Sequence, residues 1–209
     1  QAAAIITSST TDTGSKLKGF NYARTFTMYS GTADTTFPEC GRVGRFAPEQ
    51  AGSNVWVYKT LVGVTADNLT SSQVGYAHGK NVSTYETVGG VSANIGNLTA
   101  SGENIDVMVF VDWLKSRMQE AVWFLQLNSQ KIGYTPAGAT AIEGEIRKVL
   151  AEGIQAGGLA ADPAPVITIP NILNLSSSVR ATRNLPDVDF QARLAGAILT
   201  TTITGNVYA

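Results

Sequence analysis

The stretch that most constrains this chain is residues 103–130, ENIDVMVFVDWLKSRMQEAVWFLQLNSQ, which holds two of the three Trp residues. Val107, Val111, Leu114, Met118, Ala121, Val122 and Leu125 recur at spacings of three and four, so on an α-helix they form one stripe facing a core. Asp112, Lys115, Arg117 and Glu120 fall mostly off that stripe. At ~1.5 Å per residue such a helix is roughly 35 Å long and crosses a small domain. Its start, residues 107–111, is apolar all round, which implies burial on every side or a strand that turns helical.

A second helix follows. Thr135 before Pro136 is an N-cap with proline at the first helical position, and Ala139, Ile142, Ile146, Val149, Leu150 and Ile154 repeat at helical spacing until Gly157 and Gly158. Glu143 stands four residues before Arg147, the favourable order for a surface pair. The short connection makes helices near 104–129 and 137–156 antiparallel neighbours.

Upstream, the sequence reads as alternating strands and short helices. Residues 2–6 read as the end of a strand, 7–15 as a Ser/Thr/Gly loop, 16–29 as an aromatic-rich strand and 38–50 as one or two helical turns. Residues 55–64, with Trp56, Tyr58 and Leu61, read as a second strand, 71–79 as a short helix behind Asp67 and Thr70, and 82–88 as a third strand. Residues 89–102 read as a loose connection.

Past residue 161 the prolines at 163, 165 and 170 break helices, and VITI between them favours a strand. Val188, Phe190, Ala192 and Leu194 alternate with Asp189, Gln191 and Arg193, the period of a strand with one buried face. In the last segment, AILTTTITGNVYA, Leu199, Thr201, Ile203 and Val207 share one face and Thr200, Thr202 and Thr204 the other. A terminal strand almost without charge is an edge that invites pairing with another chain. The same pattern would also suit an internal strand of its own domain. The expected class is α+β (or α/β): a mixed β-sheet packed by two long helices, with a β-rich C-terminal region and a terminal arm. The chain divides into a core region, residues 1–160, and a C-terminal region, residues 161–209, as pieces of one continuous domain. It begins at Gln1 rather than Met, which reads as a cut end with native residues missing before it.

Composition excludes several function classes. With 15 basic and 16 acidic residues and no run of either sign, the chain lacks a nucleic-acid footprint and a polybasic membrane anchor. No apolar run approaches the ~20 residues of a membrane helix. Charged residues make up 15% of the chain, below the ~25% usual for soluble domains, so partners are expected to cover part of the surface. A single Cys40 and a single His78 leave too few soft ligands for a zinc site. No phosphate-cradling loop, zincin helix or nucleophile elbow is present. His78 reads as a helix-end or surface residue, Cys40 as a small buried one, Asp187 and Asp189 as solvated carboxylates, and Asp106 as a helix-starting charge beside the spine that Asp112 also flanks. Sequons start at Asn68, Asn81, Asn97 and Asn174, as a Ser/Thr-rich chain produces by chance. No catalytic, cofactor or metal residue is expected.

Five blocks in order carry a resemblance: KTLVGVTADNLTSSQ, KNVSTYETVGG, SGENIDVMVFVDWLKSRMQ, IGYTPAGATAIEGEIRKVLAEGIQAGG and FQARLAGAILTTTITGNV. From about Val55 onward the chain resembles the sheath protein of contractile-tailed bacteriophages, in the branch first described as a phage domain of unknown function. The strongest stretches are the block 106–119 with Asp112, Trp113 and Leu114, and the block 193–205. The first fifty residues match less clearly.

The resemblance implies a structural protein of the virion tail, assembled in the host cytoplasm, without cofactor. Its partners would be other copies of itself in hexameric rings stacked helically, the tail tube protein, and the baseplate and tail terminator proteins. It would contract to drive the tube through the host envelope for genome ejection. Leu199, Thr201, Ile203 and Val207 would belong to an arm that adds a strand to a sheet in a neighbour. Lys115, Arg117, Arg147 and Lys148 are the candidates for a tube-facing surface. The competing readings are another tail or baseplate subunit and an α/β enzyme, whose mark would be a pocket of convergent polar groups with a shifted pKa.

Overall fold

The computed structural model describes residues 2–205, with side chains from residue 3 onward. The chain opens with helices α1 (Ala2–Ile5) and α2 (Thr13–Phe20), then strand β1 (Thr27–Met28) and helices α3 (Ala33–Thr36), α4 (Pro38–Phe46) and α5 (Ser71–Gly79). A hairpin of β2 (Val82–Val88) and β3 (Val91–Ile95) leads to the long helices α6 (Ile105–Asn128) and α7 (Pro136–Gln155). Strand β4 (Val166–Thr168), a 3₁₀ turn at Ile172–Asn174, helix α8 (Ser177–Ala181) and strand β5 (Asp189–Gln191) complete the order. The class is α+β, as expected.

The first sheet is mixed: β1 runs parallel to β2, pairing Thr27 with Val82, and β2 runs antiparallel to β3, pairing Thr84 with Ile95. Gly89 and Gly90, both at positive φ (58° and 81°), make the two-residue turn, whose twist only such residues accept cheaply. β2 is buried on both faces. Val82 packs with Tyr29 and Ala77, and Tyr85, an odd number of residues on, faces Phe46, Trp56, Leu61 and Ile105 on the other side. The second sheet is only β4 against β5, antiparallel, with Ile167 opposite Phe190.

The long helices pack on each other around Phe110, Leu114, Ala121, Ile146, Val149, Leu150 and Leu159. Ile167, Val188 and Ala192 from the second sheet and its flanks close this core from below. α6 is helical from Ile105, and that first residue belongs to the other core, with Phe46 and Trp56. Where the two cores meet, Gly158 lies so close to the Phe110 ring that a Cβ there would collide with it, and Gly52 (φ 90°) fills the same seam.

Several expectations are corrected. Residues 2–6 are not strand: Ala2–Ile5 is helical, since Ala favours helix and the Lys80 ammonium caps the carbonyls of Ala4, Ile5 and Thr7. Most of 16–29 is not strand: Asp12 caps α2 by accepting from the Ser15 amide, and Asn21, left-handed at φ 56°, ends it. Only Thr27–Met28 pairs. Residues 55–64 form no strand although Trp56, Val57 and Leu61 are buried, because Tyr58 adopts a left-handed backbone that breaks the pleat. The connection 89–102 contains β3. The C-terminal region is less β-rich than expected, holding only β4, β5, a 3₁₀ turn and α8, which Ser176 caps through the Val179 amide. Within the spine, Val111 is exposed, and the inward positions are Ile105, Phe110, Leu114 and Ala121.

Candidate interaction surfaces

The four cations expected on one face are not one bare basic patch. Arg117 turns towards α7, where Nε and one terminal nitrogen donate to the Glu152 carboxylate at 2.9 and 3.3 Å. Hydrogen bonding to Glu152 holds its guanidinium proton more firmly than usual. Lys115, two residues earlier and so about 200° round the helix, is exposed, and among the described residues it makes no ion pair. On α7, Arg147 pairs with Glu143 at 2.6 Å, and Lys148 lies 3.8 Å from Glu145. The outer face of the helix pair is therefore charge-mixed. Asp112 is also spoken for, as it accepts from Arg24 at 2.7 and 2.6 Å.

An apolar surface lies at the far end of α6. Trp123, Phe124 and Leu127 are 60%, 51% and 63% exposed. A separate groove of about 530 Å³ lies between α6, α7 and residues 183–188, walled by Val122, Ile142, Ile146, Leu185 and Val188.

The terminal segment leaves the body through a short latch. Leu194 bridges Leu159, the Ala160 amide donates to the Arg193 carbonyl at 2.8 Å, and the Ala195 amide donates to the Gly158 carbonyl at 3.0 Å. Beyond it the Tyr58 hydroxyl donates to the Leu199 carbonyl at 3.1 Å. Ile198 and Ile203 are 87% and 89% exposed. Among the described residues no strand forms after β5, and Thr201 is exposed while Leu199 is half-buried. Val207 lies outside the described residues.

The polar interior holds what sequence reasoning missed. Arg42 is fully buried, donating to Ser83 Oγ, the Trp56 carbonyl and the Gly96 carbonyl, each at 2.7 Å, with its guanidinium 5.2 Å from the Phe26 ring centre. Burial pulls its pKa down to about 10, which still leaves it protonated at neutral pH. Helical spacing would have found it, since Pro38, Arg42 and Phe46 share the buried face of α4. The same geometry leaves Cys40 exposed, against the expectation of a buried one. His78 is half-buried with Nε2 3.0 Å from Thr84 Oγ1, and Thr84 in turn bonds Glu86. With the hydroxyl donating to that carboxylate, Nε2 carries the ring proton. Burial lowers the His78 pKa, partly opposed by Glu86. Asp187 and Asp189 are exposed, and Asp106 sits in the first turn of α6 bonded by Asn97. Among the described residues no three His, Cys, Asp or Glu side chains group as a metal site would require.

Comparison with known proteins supports the resemblance drawn from the sequence. Residues 105–163 match the family described as E217 tail sheath protein gp31-like, C-terminal domain. That segment is α6, α7 and the turn that follows them. No curated protein matches. Among solved structures, the chain is similar to one from the cryo-EM structure of the anti-feeding prophage (AFP) baseplate, 6-fold symmetrised, with a TM-score of 0.59 and 16% identity over 81% of this chain. The match spans 48% of that chain, so this chain corresponds in fold to about half of the solved one.

Proposed function

We propose that this chain is a structural subunit of a contractile phage tail sheath, polymerising around the tail tube and contracting to drive it through the host envelope for genome ejection. The observation that carries the reading is the terminal segment. It is latched to the body at Gly158 and Ala195, then presents Ile198 and Ile203 to solvent without a strand partner among the described residues. An apolar, uncharged segment of this kind gains most by adding to a sheet in another copy. The pair β4–β5 is a fitting acceptor, because two three-residue strands are marginal alone and gain from a third. The tail-sheath family match over the helix pair supports the same reading.

In this assembly Leu199, Thr201, Ile203 and Val207 form the intersubunit strand of the C-terminal region (residues 161–209), and the helix pair of the core region (residues 1–160) faces inward. Lys115, Arg147 and Lys148 meet the tube protein, with Arg117 holding α6 to α7 behind them. Copies form hexameric rings stacked helically, ending at the baseplate and the tail terminator, in a virion tail built in the host cytoplasm. The work is mechanical, with no catalytic step. A place in the baseplate rather than along the sleeve is the second reading, favoured by the AFP baseplate likeness.

Negative-stain microscopy of the chain and of a version ending at Ala197 tests this. Hollow sleeves of uniform diameter from the full chain, and none from a shortened chain that melts unchanged, are expected. Single closed rings would favour the baseplate reading. A collapsed melt on shortening would show the terminal segment to belong to its own core.

A further inference from the structure

The loop at 56–60 is fastened to β3 mainly by one residue. Asn94 is fully buried; its carbonyl accepts from the Tyr58 amide at 2.8 Å and its amide donates to the Lys59 carbonyl at 3.0 Å. Its side chain completes the clasp, accepting from the Lys59 amide at 2.9 Å and donating to the Trp56 carbonyl at 2.8 Å. Thr60 adds a bond to the Ser92 carbonyl at 3.0 Å. The clasp holds Tyr58 at φ 59°, a left-handed conformation that is unfavourable for a bulky side chain. Burial does not compensate, because Tyr58 stays 47% exposed. What the strained backbone achieves is aim: it points the phenol at the Leu199 carbonyl, 3.1 Å away. Leu199 is the one residue between 193 and 205 that is half-buried rather than exposed.

We propose that Tyr58 is a positioning residue for the terminal segment, a post that fixes the direction in which the chain from Thr200 onward is offered to a second copy. The inference rests on the reading of that segment as an intersubunit arm. A single hydrogen bond at the surface is weak enough to release when the neighbour's sheet takes the strand. It is directional enough to narrow the orientations the arm samples beforehand, and so speeds the encounter.

The test uses the whole chain. For mobility, a nitroxide is placed on a Thr200→Cys change in a Cys40→Ser background, and its spectrum is compared with Tyr58 kept, changed to Phe or changed to Gly. Assembly rate is followed separately by light scattering on unlabelled chains. Tyr58→Phe should leave the melt unchanged, free the label and slow polymerisation on the order of fivefold, the weight of one net neutral hydrogen bond. Tyr58→Gly relieves the backbone and should raise the melting temperature while freeing the label equally. A purely structural role for Tyr58 would not give higher stability together with slower assembly. Equal label mobility in the parent and the Phe variant would overturn the proposal, as would a freed label with an unchanged polymerisation rate. If a chain ending at Ala197 polymerised like the parent, the arm reading itself would fail, whereas its failure to polymerise beside a fast Phe variant would remove only the role of Tyr58.

Discussion

The two cores of this molecule are built on opposite principles. Around α6 and α7 the interior is a layer of aliphatic and aromatic side chains from Phe110 to Leu159, and its one prominent ion pair, Arg117 with Glu152, sits at the rim. Around β2 the interior contains Arg42, Ser83, Thr84 and Asn94, all at 1% exposure or less, beside Phe46, Trp56 and Tyr85. The first core is held by apolar burial, which is tolerant of register and depends on filled volume. The second is held by directed hydrogen bonds that tie irregular loops to a short sheet, and such a network is sensitive to the loss of any one partner. The difference teaches where each region is vulnerable: loss of volume on one side, loss of a single polar partner on the other.

The sharpest way to break the second core is Arg42→Ala. It strips partners from the Trp56 and Gly96 carbonyls and opens a void, and should cost on the order of 4 kcal/mol, read by denaturant melting. Leu114→Ala in the helix pair should cost about 3 kcal/mol, and Leu125→Ala, only half-buried, about 1 kcal/mol. If both variants melt like the parent, the assigned core face of α6 is wrong.

Lys80→Met is expected to cost about 2 kcal/mol, because it leaves the buried Asp12 carboxylate without its cation. The loss should show first as faster amide exchange in α1 and α2. Burial alone would raise the Asp12 pKa, but hydrogen bonds from Lys80 and Ser15 bring it down to about 2. A carboxylate depressed in the folded state stabilises fully above its unfolded value of about 3.9. That contribution fades as pH falls through about 2, so the parent should lose protection at α1 and α2 in this acid window. The Lys80→Met chain should show a much smaller acid step. The least effect is expected from Arg117→Leu, about 1 kcal/mol or less for a partly exposed pair, with a salt dependence that the parent has and the variant lacks.

The same contrast governs how much was legible in the sequence. α6 and α7 announce themselves through apolar residues at spacings of three and four and through Thr135 ahead of Pro136, and both lie within a residue of where that pattern puts them. α5 was legible through Thr70, whose hydroxyl caps the Gln73 amide. The polar core carries no such period. Residues 55–64 have the β-branched and aromatic content of a strand, yet the hydrogen bonds that would pair it are taken mainly by Asn94, with Arg42 and Tyr85, long-range partners that composition does not reveal. Strand propensity measures fit to a pleated surface, and here tertiary hydrogen bonding overrides it. The surface candidates were partly legible: the Glu143–Arg147 pair follows from their spacing on α7 and Glu145 lies three residues before Lys148, but the partner that turns Arg117 inward, Glu152, comes from the other helix and depends on packing. The bond from Tyr58 to the terminal segment left no signal at all, since a left-handed tyrosine looks like any other tyrosine in sequence.

The close seat of Gly158 on Phe110 has a mechanical consequence. The terminal segment is moored at the Gly158 carbonyl, and the aromatic ring touching Gly158 rises from α6 five residues after Ile105, which is rooted in the other core. A pull on the segment is thus delivered to a close-packed contact, and from there to a helix whose first residue is rooted in the other core and whose middle packs on α7. Under the proposed function, neighbours tugging on one another's arms would turn each subunit as a stiff body and leave its interior unsheared. Any bulk added at Gly158, even a methyl group, would put play into that coupling.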